Sequence, residues 1–391
     1  MSNPTCPSCN SEHLDCFFEL HGIPVDVGTL CNSPEEARNA TTGDISLCFC
    51  KECGLVFNQK YDPDLIKFGD AYEVSLTCSN AFNEFQLETA NRLAHKYNLQ
   101  GKTVFEIGCG NGEFLELLCS TAECDGVGID PTVKTLEEKK VGDNRLRFFQ
   151  QKFDEAYEGP TGDFVCCLSV FEDVPQPGNF LSLIAERFCR KGIPVYLEVF
   201  NGMRALGNKE VWSVHYEQCN YFSLQSLMRA VGHHDLTILG AGNCYVNGQY
   251  VYVEFTYDSD KSHCTNIEAD DLLESDQKVV SEFETEFQNR KRFWEKVFND
   301  SQFKNIAFWG SGGKSISFLN SVENSSRVGM IVDNNSKRHG GFIPGSGHEV
   351  VGPEKLVDFN PDLVIISNEI YRDEIGQQLS GMGLSPRIEV A

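Results

Sequence analysis

The chain has 391 residues, 41% of them hydrophobic and 23% charged, which predicts a soluble globular protein of two or three domains. A formal net charge of −24 excludes non-specific attraction to nucleic acid or to an anionic membrane. No apolar run approaches the roughly 20 residues needed to span a bilayer, and the opening MSNPTCPSCNSEH lacks a signal peptide's basic start and apolar stretch, so a cytoplasmic protein is expected.

Four of the 17 cysteines form two pairs near the start, Cys6 and Cys9 in CPSC and Cys50 and Cys53 in CKEC. Each pair is followed by a turn residue, Asn10 or Gly54. Two tight turns presenting two thiolates each suit a tetrahedral, structural Zn2+ site. Residues 1–70 are then expected to be a zinc-binding module, in which the metal supplies stability that a small core cannot. Cys16, Cys48 and His13 are nearby spare ligands. Most other cysteines, such as Cys166 and Cys167 in DFVCCLSV, read as small buried hydrophobes.

A strand is predicted over Thr103–Ile107, followed by the turn Gly108-Cys109-Gly110-Asn111-Gly112 and a helix burying Phe114, Leu115, Leu117 and Leu118. Glycines allow a ligand to approach the backbone and the helix N-terminus. A lone glycine triplet also fits a dinucleotide. Glu106 inside the strand, however, suits the cationic amino group of a methionine moiety better than a pyrophosphate. The next strand, GVGID, ends in Asp130, placed to accept two ribose hydroxyls. Phe153 and Asp154 follow the position of a third strand, on an adenine-contacting loop, and Ser169, Glu172 and Asp173 end a fourth. Glu106, Gly108, Gly110, Asn111, Gly112, Asp130, Phe153, Asp154 and Ser169 are thus the candidate cofactor residues.

The texture changes after Tyr257. A polar, acidic linker leads to a helix expected to bury Phe283, Phe287, Phe293, Trp294 and Val297. NIAFWGSGGKSISFL, VGMIVDNN and PDLVIISN then give three strands of a small parallel sheet. GSGGKS lacks P-loop spacing, because Phe308 stands where the first glycine belongs. An anion held at that turn with help from Lys314 and a purely structural turn both remain open.

The series from Glu106 to Asp173 resembles the class I S-adenosylmethionine methyltransferases. With CPSC and CKECGLVF, FEIGCGNGEFL, LEVFN, YFSLQSL and VDNNSKRHGGFIPGSGHEV, nearly the whole chain resembles the three-domain, zinc-containing sugar C-methyltransferases. The resemblance implies an α/β protein with a Rossmann-like methyltransferase core over residues 71–260 and a second Rossmann-like domain over residues 261–391. It also implies S-adenosylmethionine and structural zinc, and C-methylation of a small molecule through base-assisted enolate attack. A nucleotide-linked keto-sugar is one candidate acceptor. Monomer and homodimer are both compatible with the sequence.

Two segments depart from that family. Its base is a histidine in a Tyr-x-Glu-His segment, where this chain reads His215-Tyr216-Glu217-Gln218. Glutamine is no base, so His215, or in second place Tyr216, is the expected replacement, with Glu217 orienting it. In FGDAYEVSLTCSNAFNEF, Tyr72 survives while Val74 and Ser75 replace the family's second tyrosine and histidine. An O- or N-methyltransferase of a specialised metabolite and a non-catalytic S-adenosylmethionine-binding member are the alternative readings.

Overall fold

The computed structural model describes residues 4–66, 80–134, 138–259 and 271–391. The first sheet is antiparallel, built from β1 (Leu14–Pro24), β2 (Thr42–Cys50) and β3 (Val56–Asn58), with the short helix α1 (Pro34–Arg38) between the first two strands. Strand β2 is buried on both faces because its alternation serves two cores. Ile45, Leu47 and Phe49 enter one that runs on into the C-terminal half, while Cys48 and Cys50 enter one shared with the central sheet.

Helix α2 (Asn80–Lys96) leads into the central eight-stranded sheet. In chain order this section contains β4 (Thr103–Ile107), α3 (Glu113–Ala122), β5 (Asp125–Ile129), β6 (Lys139–Val141), β7 (Asn144–Phe149), β8 (Phe164–Leu168), α4 (Pro177–Arg187) and β9 (Val195–Phe200). After them come α5 (Gly202–Gly207), β10 (Asn220–Tyr221), α6 (Leu224–Gly232), β11 (Thr237–Cys244) and β12 (Tyr250–Thr256). The strand order is β11-β12-β9-β8-β4-β5-β7-β6, with β4, β5, β7, β8 and β9 parallel and β12 reversed. Chain order reverses between β4 and β8, so the crevice at their carboxyl ends is where an open α/β sheet takes its ligand. Strand β10 leaves this sheet and pairs with β3, tying the stretch that follows α5 to the first sheet.

Helix α7 (Asp271–Asn299) precedes a third sheet of β13 (Ile306–Trp309), β14 (Val328–Val332), β15 (Val350–Val351), β16 (Leu363–Ile366) and β17 (Arg387–Val390), all parallel. Helices α8 (Gly313–Ser321), α9 (Leu356–Phe359) and α10 (Arg372–Gly381) supply crossovers. The observed class is the expected α/β one with a Rossmann-like methyltransferase core. Beyond the three predicted strands, β15 and β17 form the sheet edges, and both are too short or too polar to announce themselves.

One hydrophobic cluster joins the first sheet, the stretch from α5 to β10, α7 and the third sheet. Phe18 of β1 packs on Phe283 and Phe287 of α7, Trp212 contacts Phe287 and Phe318, and Trp294 contacts Phe318 and Phe298. Phe283, Phe287 and Trp294 are buried as expected, but Phe293 is 41% exposed and Val297 only partly buried. At 100° per residue the core-facing stripe runs through Val280, Phe283, Phe287, Trp294 and Phe298, leaving Phe293 beside it. Trp294→Ala should therefore destabilise the protein by about 3–5 kcal/mol in urea unfolding. Phe293→Ala should change it by less than about 0.5 kcal/mol; equal effects would contradict this packing.

Candidate active site

Of the four-cysteine cluster, Cys6, Cys50 and Cys53 are buried and Cys9 is half-buried, and their sulfurs lie within 4.8 Å of one another. Cys6 and Cys53 are 3.6 Å apart, as are Cys9 and Cys50. Each CxxC closes as a turn in which the N–H of Asn10 donates to the Cys6 carbonyl and that of Gly54 to the Cys50 carbonyl, both at 2.9 Å. Asn10 and Gly54 adopt positive φ, 60° and 77°, the left-handed conformation these two residue types tolerate best. The spare ligands do not join the quartet. Cys16 and Cys48, opposed across β1 and β2, form a disulfide, and His13 bonds Glu52 at 2.7 Å.

The glycine turn after β4 lies in the crevice at the switch point. Gly108, Gly110 and Gly112 all have positive φ, at 71°, 52° and 82°. A Cβ on Gly108 would stand 2.1 Å from Val170, and one on Gly112 would stand 2.4 Å from Phe148, whereas one on Gly110 would meet open space. Asp130 accepts the Gly110 N–H at 2.9 Å through one oxygen and both donors of Thr132 at 2.6 Å through the other. Glu106 is 3% exposed and one of its carboxylate oxygens has no hydrogen-bond partner. Burial first, and then the nearby Asp130, push its pKa well above the ordinary range. A cationic amino group would offset both effects, so the residues present fit the methionine end of S-adenosylmethionine. Asn111 is exposed on the turn, Phe153 packs among Phe105, Phe180 and Phe188, and Asp154 accepts the Ala156 N–H at 3.0 Å.

A cavity of about 480 Å³ opens between the carboxyl ends of the central and C-terminal sheets. From the central side it is lined by Ser169, Glu172 and Asp173 after β8, and by His215, Glu217 and Gln218. From the other side come the turn Gly310–Lys314, Asp333 at the end of β14, and Arg338. The structure thus brings His215 and Glu217 together with Ser169. It does not bring Tyr216 there: that ring stacks on Tyr61, and its hydroxyl accepts the Asp62 N–H at 2.8 Å. Tyr72, like Val74 and Ser75, lies outside the described residues.

His215 lies against the Gly313 turn, and its Nδ1 faces the N–H of Gln218 at 3.4 Å, so the neutral ring carries its proton on Nε2. Burial, with a smaller contribution from Lys314, lowers its pKa to about 4. Glu217 Oε2 accepts the N–H groups of Val27 and Gly28, at 2.9 and 3.2 Å. Gln218 donates to the Asn220 carbonyl at 3.0 Å. Lys314 is ion-paired with Glu210 at 2.5 Å, which also pairs with Arg204, so its charge is already partly neutralised at the turn.

Residues 80–240 match the family described as a methyltransferase domain, and residues 262–384 match the C-methyltransferase C-terminal domain. This chain is an S-adenosylmethionine-dependent methyltransferase. No curated protein sequence matches the enzyme. Among solved structures it is similar to an S-adenosylmethionine-dependent methyltransferase from Clostridium acetobutylicum ATCC 824, with 11% identity, 45% of this chain and 92% of that chain covered, and a TM-score of 0.34. A magnesium protoporphyrin IX methyltransferase from Synechocystis PCC 6803 gives 18% identity, coverage of 48% and 89%, and a TM-score of 0.35.

Several cavity residues were not singled out from the sequence. Tyr245 adopts φ 59° and ψ 175°, a region nearly reserved for glycine, and its buried hydroxyl lacks a partner. Arg338 and Asp333 sit in the VDNNSKRHGG string, but no local pattern shows that they reach a cavity. Glu106→Gln should weaken S-adenosylmethionine binding in calorimetry by about tenfold or more, as expected for losing a charge-assisted contact. Unchanged affinity would remove Glu106 from the donor site.

Proposed function

We propose that this enzyme transfers a methyl group to a carbon of a small-molecule acceptor held in the cavity between the central and C-terminal sheets. The observation that carries the reading is that one cavity is lined from both the central and the C-terminal parts of the chain. The turn that sets Val170 against Gly108 supplies one wall, and a second glycine turn supplies the other. Asp333, at the end of the second strand of the C-terminal unit, occupies the place where such folds receive a ribose. A nucleotide-linked keto-sugar fits this geometry. Units of 1–70, 71–260 and 261–391 would then supply the metal staple, the donor and the acceptor, in a cytoplasmic monomer or homodimer.

Bound S-adenosylmethionine supplies an electrophilic methyl group. Glu106 would take the donor's amino group, Asp130 its ribose hydroxyls, the Gly108–Gly112 turn its backbone contacts, and Phe153 and Asp154 its adenine side. Ser169 would stand where donor and acceptor meet. His215, neutral and protonated on Nε2, suits hydrogen-bond donation to the acceptor oxygen better than proton abstraction. Donors aimed at a developing oxyanion are worth about 10²–10³ in rate, so His215→Ala should slow turnover by about that factor while sparing donor affinity.

The assay is formation of S-adenosylhomocysteine with a panel of nucleotide-linked keto-sugars, with the product examined by NMR. A new C–CH3 group is expected. A methyl group found on oxygen or nitrogen would replace this reading with the O- or N-methyltransferase one, and donor binding without turnover would favour a non-catalytic binder.

The four sulfurs of Cys6, Cys9, Cys50 and Cys53 suit a closed structural Zn2+ site, since no open position or weaker ligand is present in the quartet. Metal analysis should find one zinc per chain, and chelation should lower the melting temperature. Melting unchanged by chelation would defeat the assignment.

A further inference from the structure

Forming a carbon–carbon bond at a position beside a carbonyl requires a group that can accept the C–H proton. Several of the groups that line the cavity are unsuited to this task or already engaged. Gln218 is not basic. Glu217 holds the amides of Val27 and Gly28. His215 is a weak base after burial, and its unprotonated nitrogen faces the Gln218 N–H. Asp333, on the C-terminal unit, accepts from the N–H and hydroxyl of Ser311 and from the Asn335 N–H.

Glu172 differs from all of these. It is 5% exposed, and its Oε1 accepts the Phe200 N–H at 3.0 Å, which fixes the carboxylate. Its Oε2 has no hydrogen-bond partner, and the residue lines the cavity. The same short turn places Val170 against Gly108, so Glu172 is carried by the segment that touches the donor cradle. Its backbone is held as well, with the Cys219 thiol directed at the Glu172 carbonyl at 3.5 Å.

We infer that Glu172 is the general base of this methyltransferase, an assignment that rests on the C-methylation reading. Its carboxylate takes the proton from the acceptor carbon beside the carbonyl, and the C–H electron pair becomes that of the enolate. This pair then forms the C–CH3 bond. The S–CH3 bond of the sulfonium donor breaks, and its pair returns to sulfur, leaving neutral S-adenosylhomocysteine and a proton on Glu172 to be released to solvent.

The surroundings match the task. Burial pushes the Glu172 pKa up to about 7, opposed by the Phe200 amide and helped by Glu198 on β9. Asp173 on its own turn, Cys167 at the end of β8, Cys219 and Tyr250 also interact with it electrostatically, and each is itself raised by burial. A base acts when ionised, so kcat/KM should rise with pH through about 7 and then level off.

The test compares wild type, Glu172→Gln and Asp173→Asn on the keto-sugar panel, together with deuterium uptake from heavy water at the acceptor carbon when S-adenosylhomocysteine replaces the donor. Glu172→Gln should lower kcat about 10²–10⁴-fold, abolish deuterium uptake, and leave donor affinity and melting unchanged. Glu172→Asp, which keeps a carboxylate, should retain the pH-dependent limb at a reduced rate; loss of that limb would count against the base. Wild-type exchange and methylation in Glu172→Gln would overturn the assignment while leaving C-methylation intact. Loss of deuterium uptake in Asp173→Asn alone would also overturn it. Absence of any carbon-methylated product from the wild type would sink both readings.

Discussion

The peptide at Val27–Gly28 is gripped from two sides, and the geometry of the cavity depends on that grip. Glu217, from the central part of the chain, accepts both of its N–H groups. Arg338, from the C-terminal part, points its guanidinium at both carbonyls at 3.4 Å, while also donating to the hydroxyl and carbonyl of Ser311 at 2.7 Å. Arg338 and Glu217 are 8% and 3% exposed. Charges so far from water persist only when hydrogen-bonded, so the three parts of the chain must meet in one arrangement for either charge to be tolerated. The cluster of Phe18, Trp212, Phe287 and Phe318 gives the apolar half of the same junction. Val27, Glu217 and Arg338 of this junction also line the cavity.

The proposed chemistry rests on a division of labour among carboxylates that look alike in the sequence. Burial raises the Glu106 pKa, Glu217 accepts two backbone amides, and Glu172 keeps one oxygen without a hydrogen-bond partner. Nothing in their side chains distinguishes these three; their neighbours do. Tyr245 adds a second sign that this region is arranged for a ligand. A tyrosine held at a glycine-like φ and ψ, ringed by Phe82, Phe85 and Tyr250, keeps its unbonded hydroxyl buried at the cavity wall.

Much of the fold is legible because its signals are local. The paired CxxC turns, the glycine turn flanked by Glu106 and Asp130, and the apolar strands of the central and C-terminal sheets each occupy a short stretch of chain. What escaped is non-local. The Cys16–Cys48 pairing depends on the register of β1 against β2, which no spacing reveals. The exposure of Phe293 depends on which stripe of α7 meets the core. His215 was legible as a candidate residue, and it lines the cavity. Its burial and the Gln218 amide at its Nδ1 were not, because both are set by how the turn packs. Glu217 reads in sequence as a neighbour of the base, yet its partners lie 189 and 190 residues away.

The grip on Val27–Gly28 also bears on how such a protein can be rebuilt. Along the sequence the three parts look like exchangeable modules, and a chimera taking its C-terminal part from a relative would keep every local motif. Yet the incoming part would have to present a guanidinium to two carbonyls of a peptide it does not encode, while Glu217 waits on the opposite edge. A mismatch would leave a buried charge stranded at the seam. Retargeting toward a new acceptor is therefore more accessible through single side chains on the cavity wall than by recombination of whole parts.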